Sequence, residues 1–209
     1  MEDNTLFEVY IDQLKDIWSA NDQMRDIVIT MADASGDPEL GKLLKTIVTR
    51  LEEHNRTVRR LLSRHHEEDE PDRSRAMQGL ATQAQEEVLD KPLTEAARDV
   101  MIVAQVQRMA HYGIAGYGTA RALSEALTLK TDTQILSADL GDVYATDELL
   151  THLAERVLNP ASADEDADEE DDEDEEQISE LSNGVNEQRD GLSDDDDDDD
   201  DDESGGRLR

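Results

Sequence analysis

Cysteine is absent from this 209-residue sequence, which excludes disulfides and every metal site built on thiolates. Aromatics are scarce, with one Phe, one Trp and four Tyr, and only four prolines punctuate the chain. Lysine occurs only at Lys15, Lys42, Lys45, Lys91 and Lys130. No apolar run is long: the stretch Val100 to Gln107 falls far short of the roughly 20 residues that cross a bilayer. Met1-Glu2-Asp3 has no basic start of the kind a secretory signal carries, so a cytoplasmic protein with no membrane partner is expected. Alternation of apolar and polar residues over a strand's length is also missing, which leaves an all-α chain.

What the sequence has in excess is negative charge, a formal −34 in total. Residues 161–209 hold 25 Asp and Glu against 3 Arg, so about two thirds of that excess lies in the last quarter of the chain. Asp194 to Asp202 is unbroken aspartate, and like charges at that density cannot collapse around a core. Two parts follow: residues 1–160 as a helical domain and residues 161–209 as a disordered acidic tail. Within the tail, Ile178, Leu181, Val185 and Leu192 fall at roughly helical intervals, either by chance or as a short motif that docks on a protein partner. The domain is acidic too, and with few lysines this fits a halophile's protein, whose self-repulsion concentrated salt would screen. Nucleic acid is not expected as a partner, because backbone contacts need a basic surface.

Helix signals come in order. Thr5 and Glu8 stand at capping-box spacing before a helix that runs to about Ala34, with Phe7, Ile11, Leu14, Trp18, Val28 and Met31 as its apolar stripe. Asp37-Pro38 starts a second helix, carrying Leu40, Leu44, Leu51 and Val58 to a solvated end near His65-His66. A shorter helical segment spans Ser74 to Leu89 and stops before Pro92. The third long helix runs from Thr94 to about Leu127, and a fourth from Thr131 to Asn159-Pro160 with Leu136, Leu140, Val143, Leu150 and Val157. Second and third long helices are separated by some 25 residues, which neighbouring antiparallel helices do not need. A four-helix bundle with one long crossover, carrying the short helix, is the arrangement that does.

Each long helix has a polar interruption near its midpoint: Asn21, His54 with Asn55, His111 and Asp147. In an antiparallel bundle those midpoints share a level, and with Glu52 they form a predicted polar layer. Buried polar groups cost several kcal/mol unless partnered. The layer is therefore a hydrogen-bonded core feature, a site for another small ligand, or an altered metal site drawing on Glu52, Glu53, His54, His111 and Asp147. A di-iron carboxylate site needs a Glu from each of two helices and Glu-x-x-His from the other two, a set this chain does not supply. The third helix also places Gly113, Gly116 and Gly118 within six residues. Glycine costs roughly 1 kcal/mol against alanine in a helix interior, so these serve either close packing or a ligand cavity.

The stretch His111-Tyr112-Gly113-Ile114-Ala115-Gly116-Tyr117-Gly118-Thr119 resembles the third-helix signature of the YciE/YciF ferritin-like proteins, Glu-His-Tyr-Glu-Ile-Ala-x-Tyr-Gly-Thr. The resemblance covers about residues 5–158, through Leu51-Glu52-Glu53, Ala76-Met77-x-Gly79-Leu80 and Ala145-Thr146-Asp147. It implies a ferritin-like bundle, a stress-associated role and a homodimer formed through a helical face. It also implies that Ala110 and Gly113 stand where the family carries metal-binding glutamates, that Asn21 replaces a third, and that Asn55 stands where Glu or His is usual. On that comparison no cofactor is expected and catalysis is not; iron or manganese in a modified site, as an oxidoreductase or iron-handling protein, is the alternative, and an interaction protein acting through the acidic tail is another.

Overall fold

A computed structural model describes residues 5–67, 70–160 and 163. The acidic tail apart from residue 163, with the spaced Ile178, Leu181, Val185 and Leu192, lies outside the described residues, as do Glu68 and Asp69. Five α-helices follow in order: α1 Leu6–Ala34, α2 Pro38–Arg64, α3 Arg75–Ala84, α4 Glu95–Ala126 and α5 Lys130–Leu153. Wide π turns, Gln85–Leu89 and Ala154–Leu158, extend α3 and α5. Among the described residues there is no strand, and no helix is long and apolar enough to cross a membrane. The four long helices form the expected bundle, and α3 rides in the crossover between α2 and α4.

Local chemistry sets the ends. The Thr5 hydroxyl accepts from the Glu8 amide, and the Glu8 carboxylate accepts from the Thr5 amide. Asp37 caps α2 by accepting from the Leu40 amide at 2.8 Å. The α1–α2 turn is held from across the bundle: buried Asp99 of α4 accepts from the amides of Gly36 and Asp37 at 3.0 and 2.7 Å. At the α4–α5 turn the Leu129 amide reaches the Ser124 carbonyl, a closure that usually has glycine at the left-handed position. Here Thr128 occupies it with φ 61°. A β-branched residue there costs roughly 1–2 kcal/mol, so Thr128→Gly is expected to stabilise by about 1 kcal/mol in urea unfolding, with the slope unchanged.

Helix α1 packs against both α2 and α4, and α4 pairs with α5, while the α2–α5 seam is the thinnest long-helix contact. Two apolar clusters fill the interior. One is built around Met24, Met31, Leu44, Ile102, Val106 and Met109, the other around Tyr10, Leu14, Leu61, Tyr117 and Leu136. The buried stripe of α1 is one position out of phase with the expected one in places: Tyr10, Ile17 and Met24 are buried, whereas Phe7 and Trp18 lie half-buried at its edge. The Arg59 guanidinium covers the Trp18 ring, 4.5 Å from its centroid.

The end of α2 is not a simple solvated terminus. His65 Nε2 lies 2.7 Å from Asp132 Oδ2, and the Tyr10 hydroxyl donates to the same oxygen at 2.9 Å. Arg64 adds a contact to Asp132 Oδ1 at 3.3 Å. Asp132 and Tyr10 are fully buried, so α1, α2 and α5 are locked together by one carboxylate. Burial and Asp132 push the Tyr10 phenol well above its ordinary range.

Candidate functional site

The glycine-rich stretch of α4 lies over the middle of the bundle, and its three glycines have three different environments. A Cβ on Gly116 would stand 3.2 Å from Ile17 Cγ1, so this glycine lets α4 approach α1. A Cβ on Gly113 would meet only Val143 Cγ1 at 4.0 Å, and one on Gly118 would meet nothing within 4 Å. Gly118→Ala is therefore expected to stabilise by roughly 0.5–1 kcal/mol through helix propensity. Gly116→Ala forfeits that gain because Ile17 must give way. Thermal midpoints of the two variants, measured side by side, check the difference.

Tyr117 is buried and its hydroxyl accepts from Asn21 Nδ2 of α1 at 2.9 Å. Burial pushes its phenol well above the usual range. Its ring meets the His54 imidazole edge-on, with centroids 5.7 Å apart. His54 is 5% exposed, and neither of its ring nitrogens is hydrogen-bonded. The nearest carboxylate oxygen, Asp142 Oδ2, lies 3.6 Å from Nε2, beyond hydrogen-bond reach. Burial holds the imidazolium below its ordinary pKa, against an opposing pull from Asp142, so His54 is neutral at pH 7. Tyr112, one turn before Gly116, donates to Asp16 Oδ2 at 2.6 Å and contacts the Ser74 hydroxyl at 3.2 Å, tying α4 to α1 and to the start of α3.

Between these groups lies a partly open cavity of about 40 Å³. Its lining is mostly apolar, with Asn21, Arg50, His54, Tyr112, Tyr117 and Thr146 as polar contributors and Ala110 and Gly113 among its small residues. Within that lining Arg50, half-buried on α2, donates to the Thr146 hydroxyl of α5 at 2.9 Å.

The predicted polar layer is thus only partly assembled. Asn21 and His54 come together through Tyr117. Asn55 is buried next to them but turns toward α1, where its Nδ2 donates to Asp22 Oδ1 at 2.9 Å. His111 is not in the layer: its side chain is 62% exposed and pairs with Asp147 at 3.3 Å on the outer α4–α5 seam. Gln107 also donates to Asp147, at 3.2 Å. Glu52 and Glu53 face solvent. Helix phase explains the split. Each residue turns a helix by about 100°, so with His54 facing inward Glu53 and Glu52 cannot, and with Ala110 buried His111 points out. Among the described residues, no three His, Asp or Glu side chains gather as a metal ion would require. The residues present do not fit a di-metal carboxylate centre.

Tyr117 and the methionines of the cavity were not anticipated as site residues. The signal was available on α4, where Met109, Gly113 and Tyr117 follow at intervals of four and Gly116 lies three from Gly113, the spacing of one face.

A family model described as "Domain of unknown function (DUF892)" matches residues 5–163. Protein YciF of Escherichia coli (strain K12) is 31% identical over 163 residues, covering 76% of this chain and 96% of that protein. The crystal structure of the E. coli stress protein YciF superposes with a TM-score of 0.70 at 27% identity, over 76% of this chain and 99% of that one. YcfI from Rhodopseudomonas palustris shares the fold, with a TM-score of 0.68 at 22% identity over 72% of this chain and 95% of that one.

Proposed function

The chain belongs to the DUF892 family, and on that premise we propose that it is a non-enzymatic, ferritin-like bundle protein of the stress-associated YciF type, without the di-metal centre the fold can house. One observation carries the reading. Ala110 and Gly113, which stand where the third-helix signature has glutamates, both line the central cavity, so the missing carboxylates are missing from the interior itself. Asn21, the third replaced position, is engaged by Tyr117. The acids of α2 next to His54, Glu52 and Glu53, face water and have no inward path without rotating α2. The stress association rests on the likeness to the E. coli stress protein YciF.

Two high-valent cations need about four anionic oxygens close by, and neutral amide, phenol and imidazole groups cannot supply that charge. At mid-bundle stand a buried hydrogen bond across α1 and α4 and an aromatic edge onto α2, with no carboxylate among them. A stopped-flow assay of Fe(II) oxidation in air tests the reading. The intact chain is expected to oxidise Fe(II) no faster than a peptide of residues 161–209 at equal concentration. A multi-turnover acceleration that the peptide lacks, abolished by Asp147→Ala, would refute it.

A further inference from the structure

Six methionines occur in the chain, and three of them meet at the central cavity: Met24 from α1, Met77 from α3 and Met109 from α4. Helix α2 contributes His54, and α5 closes the lining with Val143 and Thr146. We propose that this cavity is a binding site for a single Cu(I) ion, held by the His54 imidazole together with thioethers drawn from Met24, Met77 and Met109. The proposal goes beyond the reading above and does not depend on it, because it concerns a soft monovalent ion and not the hard divalent pair.

The donor set argues for this ion. Thioether and imidazole are neutral, polarisable ligands that suit Cu(I), whereas Fe(II), Mn(II) and Mg(II) favour the carboxylate oxygens that this lining lacks. A single positive charge is the smallest that a metal can bring into an apolar interior. Arg50, the one cationic residue of the lining, is turned to Thr146. All three methionines are at least 95% buried, so their sulfurs are shielded from competing water.

His54 is the second, independent observation. A buried imidazole with no hydrogen bond at Nδ1 and only a 3.6 Å approach of Asp142 at Nε2 forfeits hydrogen bonds that water would supply, and such a group calls for a reason. Ligation through Nδ1 would satisfy one nitrogen. Asp142, already 3.6 Å from Nε2, is placed to take the other N–H, the histidine–carboxylate pairing that commonly stands behind metal-bound imidazoles. The cavity, at about 40 Å³, has room for an ion.

Anaerobic titration of the intact chain with Cu(I), in competition with the chromophoric chelator bicinchoninate, tests the proposal. One Cu(I) per chain is expected to leave the chelator, with Mn(II) in excess having no effect. Met109→Leu and His54→Gln should each weaken binding by tenfold or more while circular dichroism shows the helices intact, and Asp142→Asn should weaken it by roughly tenfold. X-ray absorption at the copper edge should show sulfur and nitrogen neighbours. Failure of the intact chain to take Cu(I), equal uptake by the variants, equal uptake by the 161–209 peptide, or an oxygen-only shell would each overturn the site. Should a variant lose its helices, the absorption spectrum of the intact chain decides.

Discussion

Asp139→Asn is expected to raise the thermal midpoint at pH 8 and to leave it nearly unchanged at pH 4. Asp139, on α5, is 8% exposed, and its Oδ2 has no hydrogen-bond partner. Burial, reinforced by the neighbouring Asp142 carboxylate, lifts its pKa from 3.8 to about 7, with Arg60 pulling the other way. The sign follows directly. Between 3.8 and about 7 the folded state binds the proton more tightly than the unfolded chain, so stability falls as pH rises through that window. Above it the folded protein carries a buried carboxylate whose ionisation burial opposes. At 1.36 kcal/mol per pH unit the gap sets a ceiling of about 4 kcal/mol, and a gain of roughly 2 kcal/mol at pH 8 is a reasonable expectation after relaxation. For a domain of this size that is about 4–8 °C in midpoint. His54 works in the opposite direction: its lowered pKa means that stability is lost as pH falls below 6.5, where the unfolded imidazole takes up a proton first. Both proteins retain His54, so the difference between their pH profiles isolates Asp139. Equal midpoints at pH 8 would show that this carboxylate is solvated in the folded state.

The second large effect lies at the opposite polar cluster, where Asp132→Ala is expected to destabilise by about 3 kcal/mol. Asp132 accepts from the fully buried Tyr10 hydroxyl and lies 2.7 Å from His65 Nε2. Arg64 can relax into water, being half exposed, but the Tyr10 hydroxyl cannot. Leaving one partner of a buried polar pair costs more than the pair contributes, roughly 1–3 kcal/mol for the hydroxyl alone. Loss of an acidic group from the first turn of α5 adds a few tenths more. A double-mutant cycle with Tyr10→Phe checks the mechanism. The second substitution should cost much less in the Asp132→Ala background than in the wild type, and additive costs would mean that the two side chains do not couple.

These two sites also show where sequence reading stops. Helix ends were legible because their causes are local: Thr5 with Glu8 and Asp37 with Pro38 form caps within a single turn. The crossover was legible from its length. Buried carboxylates were not, because Asp99, Asp132 and Asp139 sit among so many surface acids that nothing in the sequence marks them. Only their partners do, and these lie far along the chain, as Tyr10 does from Asp132 and Gly36 from Asp99. The central layer was half legible for a different reason. Locating the midpoint of a helix needs only its ends, but telling His54, which faces inward, from His111, which faces out, needs its rotation to within 100°. Ala110 and Gly113 were readable as missing glutamates, while the cavity they leave, with Met24, Met77 and Met109 around it, depends on five helices at once.

The most direct test of the bundle without a di-metal centre is elemental analysis for iron and manganese. The intact chain would be purified in high salt without chelator, with the 161–209 peptide run in parallel to account for cations held by its carboxylates. The account predicts no more iron or manganese per intact chain than per peptide. One or two ions per chain above the peptide level, lost on changing Glu52, His111 or Asp147, would contradict it.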